Sequence, residues 1–143
     1  MEAVIFIGGQ GSGKSTFYRE KFFDTHIRIN LDMLRTRHRE KLLVEACLAA
    51  QQSFVIDNTN PTLADRARYI VPARAAGFRL IAYSFITPMR EAMRRNNLRK
   101  GKQRIPPVAI AGTFKRIQPP ISDEGFDEIH TVELTPDDRF VVV

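Results

Sequence analysis

The segment Gly8-Gly9-Gln10-Gly11-Ser12-Gly13-Lys14-Ser15-Thr16 carries chemistry that its residue types and spacing make explicit. Glycines at 8, 9, 11 and 13 let a backbone turn sharply and aim its N–H groups at phosphate oxygens. A lysine directly after the last glycine can reach β- and γ-phosphates, and the Ser15 hydroxyl can hold Mg²⁺. The apolar run Ala3 to Ile7 leads straight into this turn. Strand, glycine-rich turn and helix are the setting a phosphate-binding P-loop requires. The helix that starts at Lys14 adds the positive end of its dipole. Nucleotide phosphates are therefore expected here, and their use must be read elsewhere.

Three further groups are candidates. Asp32, in Ile29-Asn30-Leu31-Asp32-Met33-Leu34-Arg35, lies just past an expected strand and can take a proton from a substrate hydroxyl. Arg35 is about one helical turn on, so both side chains could face the same way. Equally, Asp32 could cap the next helix and Arg35 could be a solvated surface residue. Asp57 ends the apolar strand Phe54-Val55-Ile56, as the Mg²⁺-assisting acid of many nucleotide-binding proteins does. It is followed by Asn58 and not by a water-activating glutamate, which argues against a motor ATPase. An Asx turn at Asp57 and Asn58 is the alternative. Arg95 and Arg99 are four apart and could share one helix face, clamping the phosphates as charge develops. A merely solvated basic face is the alternative there.

These groups need a scaffold. Strands are expected at Glu2–Ile7, Thr25–Asn30, Ser53–Ile56 and Arg79–Ile86, with two short ones at Glu128–Leu134 and Phe140–Val143. Helices are expected from Lys14 to about Phe23, over Arg37–Gln51, from Thr62 to Gly77, starting at Thr87-Pro88 with the proline in the first turn, and over Pro107–Arg116. The apolar face of the second helix reads as Leu42, Leu43, Ala46, Cys47 and Ala50. That of the third reads as Leu63, Ala67, Ile70 and Val71. Thr62 and Asp65 suit a capping box, and Pro72 predicts a kink or a restart. Thr87 reads as the cap of the fourth helix. The alternation argues for an α/β sandwich around a mostly parallel sheet. In such folds ligands bind at the carboxyl ends of the strands, so the P-loop, Asp32 and Asp57 should meet on one rim.

The 143 residues suit one domain spanning 1–143. The net charge is +6 and the isoelectric point about 9.9, which favours a polyanionic partner. Between Arg90 and Arg104 lie Arg94, Arg95, Arg99, Lys100 and Lys102, with Glu91 the one acid. The segment at about 88–104 is expected to be a lid, with Gly101 allowing motion. The single cysteine, Cys47, excludes an intramolecular disulfide and a multi-cysteine metal site, and reads as core. No apolar run approaches the ~20 residues that span a bilayer, so no membrane role is expected. The first residues already read as a core strand and leave no room for a leader, so a cytoplasmic location is expected.

The chain resembles the polynucleotide 5′-kinase family, as found in the kinase domains of the phage enzyme and of the animal phosphatase/kinase. Gly8 to Thr16 match, with Gln10 where those proteins carry proline. Asp57-Asn58-Thr59-Asn60-Pro61, Arg66-Ala67-Arg68-Tyr69-Ile70, Asn96-Asn97, Pro119-Pro120 and Glu124-Gly125-Phe126 look very close to the animal enzyme. The resemblance implies a three-layer P-loop kinase fold with a helical lid, and ATP and Mg²⁺ as cofactors. It implies Asp32 as general base, Lys14 on the transferred phosphate, Ser15 on the metal and Thr16 on the α- or β-phosphate. Asp57 would line the acceptor pocket. Arg95 and Arg99 match the phage lid arginines, and Arg35 matches an arginine near the acceptor's 3′ phosphate. Leu31 departs: both enzymes carry an arginine there, placed to meet nucleic-acid phosphate. The phosphatase part has no counterpart in this sequence, so the expectation is either that the protein only adds phosphate or that it has a separate phosphatase or ligase partner.

The leading expectation is an ATP-dependent kinase acting on the 5′-hydroxyl ends of DNA or RNA. A small-molecule kinase on the same scaffold, acting on a nucleoside, sugar or antibiotic, is the alternative. A nucleotide-binding module without transfer activity is a third.

Overall fold

The computed structural model describes residues 1–101 and 104–143. The strands are β1 (Glu2–Ile7), β2 (Ile27–Ile29), β3 (Phe54–Ile56), β4 (Arg79–Phe85), β5 (Glu128–Leu134) and β6 (Phe140–Val142). The helices are α1 (Lys14–Lys21), α2 (Leu31–Leu34), α3 (Arg37–Ala50), α4 (Leu63–Ala75), α5 (Met89–Asn97) and α6 (Pro107–Arg116). The six strands form one sheet in the order β2-β3-β1-β4-β5-β6. β1 to β5 are parallel, and β6 returns antiparallel on β5. This is the expected α/β architecture, and the pairing of the last two strands is now defined.

Side chains alternate across the central strands, and each face feeds its own core. Ala3, Ile5, Ile7, Phe54, Ile56, Leu80 and Ala82 pack with Val44 and Cys47 of α3 and Tyr69, Ile70 and Ala73 of α4. Val4, Phe6, Val55, Ile81 and Phe85 pack on the other face with Phe17, Tyr18 and Phe22. Helices therefore cover both faces, which leaves the strand ends as the open edge. Cys47 is 2% exposed, a core residue as expected, and burial pushes its thiol pKa up.

Two helix faces differ from the periodicity. In α3 the buried residues are Glu40, Val44 and Cys47, while Leu42, Ala46 and Ala50 are exposed. Alanine marks no face, and a buried acid made the true face unreadable. In α4 the inner face is Arg66, Tyr69, Ile70 and Ala73, and Leu63, Ala67 and Val71 point outward. Here a buried arginine and a tyrosine replace the expected aliphatics. The Thr62–Asp65 capping box is present. Pro72 does not restart α4, which runs on to Ala75. The proline falls in the last turn, and the backbone carbonyl it deprives of a donor belongs to the exposed Arg68.

Candidate active site

Gly13 ends the P-loop in the left-handed region, at φ 93°, and leads into α1 with no side-chain cap. The first amides of α1 thus stay directed at the rim. The loop is gripped from outside. A Cβ on Gly9 would strike the Phe114 ring of α6. One on Gly11, at φ 80°, would meet the Ala92 carbonyl of α5 at 2.7 Å. Thr87 does not cap α5; its hydroxyl donates to the Ser12 carbonyl at 3.2 Å, tying the start of α5 to the loop. Pro88 takes the cap position. The segment after β3 supports the loop from the other side. Gly8 N–H donates to the Thr59 carbonyl at 3.0 Å, and Asn60 Nδ2 to the Phe6 carbonyl at 2.8 Å.

A cleft of about 410 Å³ opens along this rim. It is lined by Gln10, Gly11, Gly13, Lys14, Ser15 and Thr16 on the loop side, and by Asp32, Asp57 and Arg99. The P-loop, Asp32 and Asp57 do converge, as the strand-end rule requires. Lys14 Nζ donates to the Gly8 and Gly9 carbonyls at 3.0 and 2.8 Å. Burial pulls its pKa down to about 8; Asp57 and Asp32 oppose the shift and Arg99 adds to it. Asp57, 2% exposed, accepts at Oδ2 from the Ser15 hydroxyl at 2.9 Å and from Arg28 Nε at 2.8 Å. A serine hydroxyl beside a buried carboxylate, next to a phosphate cradle, is an oxygen set that suits Mg²⁺.

Asp32 is exposed on the first turn of α2, and it is not the cap. Asn30 caps that helix by accepting from Met33 N–H, and Thr36 caps α3 by accepting from Arg39 N–H. Asn58 accepts the Leu31 N–H at 2.8 Å, so α2 is anchored at its first residue. Arg35 does not join Asp32. It closes the single turn of α2 at φ 76°, and the chain reverses before α3. Arg37, the first residue of α3, lines the cleft instead. It was missed in the sequence, although a cation at a helix N-terminus opposes the dipole and so carries a signal. Its Nη1 donates to Glu40 Oε1 and to Tyr69 Oη, both at 2.9 Å. Tyr69 donates to Glu40 at 2.9 Å, and Asn58 Nδ2 donates to Glu40 Oε2 at 2.9 Å. Arg116 of α6 also lines the cleft and also went unread.

Arg95 and Arg99 do not share a helix face. α5 ends at Asn97, because Leu98 and Arg99 N–H bond back three residues to Arg95 and Asn96. Asn96, fully buried, then bonds both backbone groups of Ile105 at 2.6 and 2.7 Å, which closes the loop onto the helix end. Arg99 reaches the cleft. Arg95 instead pairs with Glu91 at 3.4 Å and with Asp138, between β5 and β6, at 2.6 Å. Lys102 of the basic cluster lies outside the described residues.

A family model described as an AAA domain matches residues 4–120. The chain is 32% identical, over 92% of its length, to a bifunctional polynucleotide phosphatase/kinase of Schizosaccharomyces pombe, and covers 33% of that protein. It is 33% identical, again over 92% of its length, to a putative bifunctional polynucleotide phosphatase/kinase of Acanthamoeba polyphaga mimivirus, covering 33% of it. The chain thus spans about a third of the length of these curated relatives. Among solved structures, a sugar kinase from a Janibacter species superposes with a TM-score of 0.69 at 15% identity, covering 93% of this chain and 85% of that one. That last likeness is one of fold. The chain belongs to the P-loop family that the AAA-domain model describes, and it is a relative of the polynucleotide phosphatase/kinases.

Proposed function

We propose that the chain is an ATP-dependent kinase that transfers the γ-phosphate to the 5′-hydroxyl end of a polynucleotide. The observation that carries this reading is the convergence of Asp32 with the P-loop in one cleft, in a chain related to polynucleotide phosphatase/kinases. The loop amides and Lys14 bind the β- and γ-phosphates of ATP. Ser15 and Asp57 would hold Mg²⁺, which when bound would supply charge neutralisation at the phosphates. Asp32 accepts the proton of the attacking hydroxyl, an acid–base contribution of about 10²- to 10⁴-fold. Lys14 and Arg99 stabilise the charge spreading over the transferred group. Arg95 belongs to the lid and meets phosphate only after releasing Asp138. Asp57 lines the cleft and is bonded to Ser15 and Arg28 through Oδ2, and its contact with the acceptor is part of this reading.

The test is transfer from γ-labelled ATP to a 5′-hydroxyl oligonucleotide. The wild-type chain should label it and leave a 5′-phosphorylated oligonucleotide unlabelled. Asp32→Asn should lower turnover at least a hundredfold with ATP affinity retained. Undiminished turnover in that variant would remove Asp32 from the mechanism. Labelling of nucleosides or sugars in preference to oligonucleotides would support the small-molecule reading, which Leu31 and the likeness to a sugar kinase fold favour.

A further inference from the structure

The cleft has a neighbour. Between α3 and α4 lies a second cavity of about 300 Å³, and Arg37 lines both. Its walls include Val44, Leu48, Pro72 and the buried Tyr69, with the exposed cations Lys41 and Arg68 beside them. The acids along it are largely answered. Glu40 is bonded to Arg37, Tyr69 and Asn58, and Glu45 faces Lys41 at 3.9 Å. Arg37 is held from behind through Nη1, yet its side chain stays 51% exposed. Its Nε and Nη2 have no hydrogen-bond partner among the described residues. A fixed guanidinium with donors to spare therefore stands where the two cavities meet.

We propose that the α3–α4 cavity binds the second nucleotide of the acceptor strand, its base against Val44, Leu48 and Pro72, while Arg37 holds the phosphate joining it to the first. This rests on the polynucleotide-kinase reading above. An acceptor whose terminal hydroxyl lies at Asp32 must leave the cleft along some wall. From α2 to the start of α3 and on to the α3–α4 cavity, the surface offers a carboxylate at Asp32, a preorganised cation at Arg37 and an apolar recess. A nucleotide chain presents a hydroxyl, a phosphate and a flat apolar base in that same order. Guanidinium donors suit the phosphate, and apolar walls suit a base of any sequence. A nucleoside or sugar acceptor would end before the recess and leave it unused.

The experiment compares three acceptors with wild-type protein: thymidine 3′-phosphate, the dinucleotide TpT, and the same dinucleotide lacking its second base. TpT should exceed the abasic form about tenfold in kcat/KM, the scale of one base contact. Leu48→Trp, which fills the recess, should bring that ratio to about one. Melting temperature and ATP affinity report whether the variant folds, and Leu48→Ser replaces it if it does not. A second readout needs no turnover: 2-aminopurine at the second position should change fluorescence on binding wild type and not on binding the variant. Equal kcat/KM with and without the second base, or a fluorescence change that survives Leu48→Trp, would overturn the site. If oligonucleotides are phosphorylated and the second base is immaterial, only this site fails. If nucleosides or sugars alone are phosphorylated, the polynucleotide reading fails and the site with it.

Discussion

Burial behind the P-loop lowers the Lys14 pKa from its ordinary 10.5 to about 8, against the pull of Asp57 and Asp32. Nucleotide phosphates bring negative charge to Nζ and favour the ammonium form. Well below pH 8 the free protein already carries that proton, so Lys14 takes up almost none on binding. Between about pH 8 and 10 the free amine is largely neutral, so nucleotide binding must take up a proton and weaken as pH rises. Calorimetry at pH 9 in two buffers of different ionisation heat should show this uptake, and at pH 6.5 should not. No buffer dependence at pH 9 would contradict the shift. Gly11 gives a second residue-scale expectation. Its φ of 80° and the Ala92 carbonyl 2.7 Å from an added Cβ leave no relaxed position for alanine. Gly11→Ala should destabilise the fold by about 1–3 kcal/mol and push α5 from the loop, measurable as a lower denaturant midpoint and weaker ATP binding. The glycines were legible in the sequence as loop formers. That two of them also admit α5 and α6 was not, because those contacts come from residues more than 80 positions away.

At the scale of elements, the rim is held by buried polar side chains. Arg66, fully buried on α4, makes a two-pronged pair with Glu124 at 2.7 and 2.9 Å. It also donates to the Asn60, Pro61 and Gln118 carbonyls. One side chain thus joins the segment after β3, the end of α6 and the 3₁₀ turn at Ser122–Glu124. Arg66→Ala would strand Glu124 and the Asn60 and Gln118 carbonyls, while Pro61 keeps the Gln118 N–H, at a cost of about 3–5 kcal/mol. Thermal unfolding should report it, and a change within ±0.5 kcal/mol would refute the clamp. Arg95, by contrast, pairs with an exposed Asp138, and such a contact stabilises by about 1 kcal/mol at most. α5 can therefore release that tie at little cost. A helix beginning near Thr87-Pro88, the extent of α6 and the capping box of α4 were readable from proline, threonine and aspartate placement, but that Pro88 and not Thr87 takes the cap of α5 was not. The inner faces of α3 and α4 were not, since Glu40 and Arg66 read as surface residues until their partners appear.

Across the whole molecule, the +6 charge gains meaning from where cations gather. Lys14, Arg37, Arg99 and Arg116 come from α1, α3, the end of α5 and α6, and all line one cleft. A strand that contacts two to four such cations through phosphate should bind with a log–log salt slope of about −1.5 to −3. Titrating a labelled single-stranded 5′-hydroxyl oligonucleotide from 50 to 300 mM salt measures it. A slope near zero would point to an uncharged acceptor. No helix among the described residues is long and apolar enough to cross a membrane.

The sequence by itself determined the phosphate cradle, the alternating α/β order and the candidacy of Asp32, Asp57 and Arg99. Each depends on local spacing: a glycine pattern before a lysine, a period of two giving way to one of 3.6, or an acid at the end of an apolar run. Tertiary structure alone decided which cations share the cleft. Arg35 and Arg37 are two residues apart, and the left-handed turn at Arg35 brings only the second to the site. Arg95 and Arg99 are four apart, and the helix end at Asn97 separates them. Those outcomes hang on where short helices start and stop and on what holds the side chains there: Asn58 anchoring the start of α2 at Leu31, Asn96 closing on Ile105 past the end of α5, and Glu40 with Tyr69 of α4 holding Arg37.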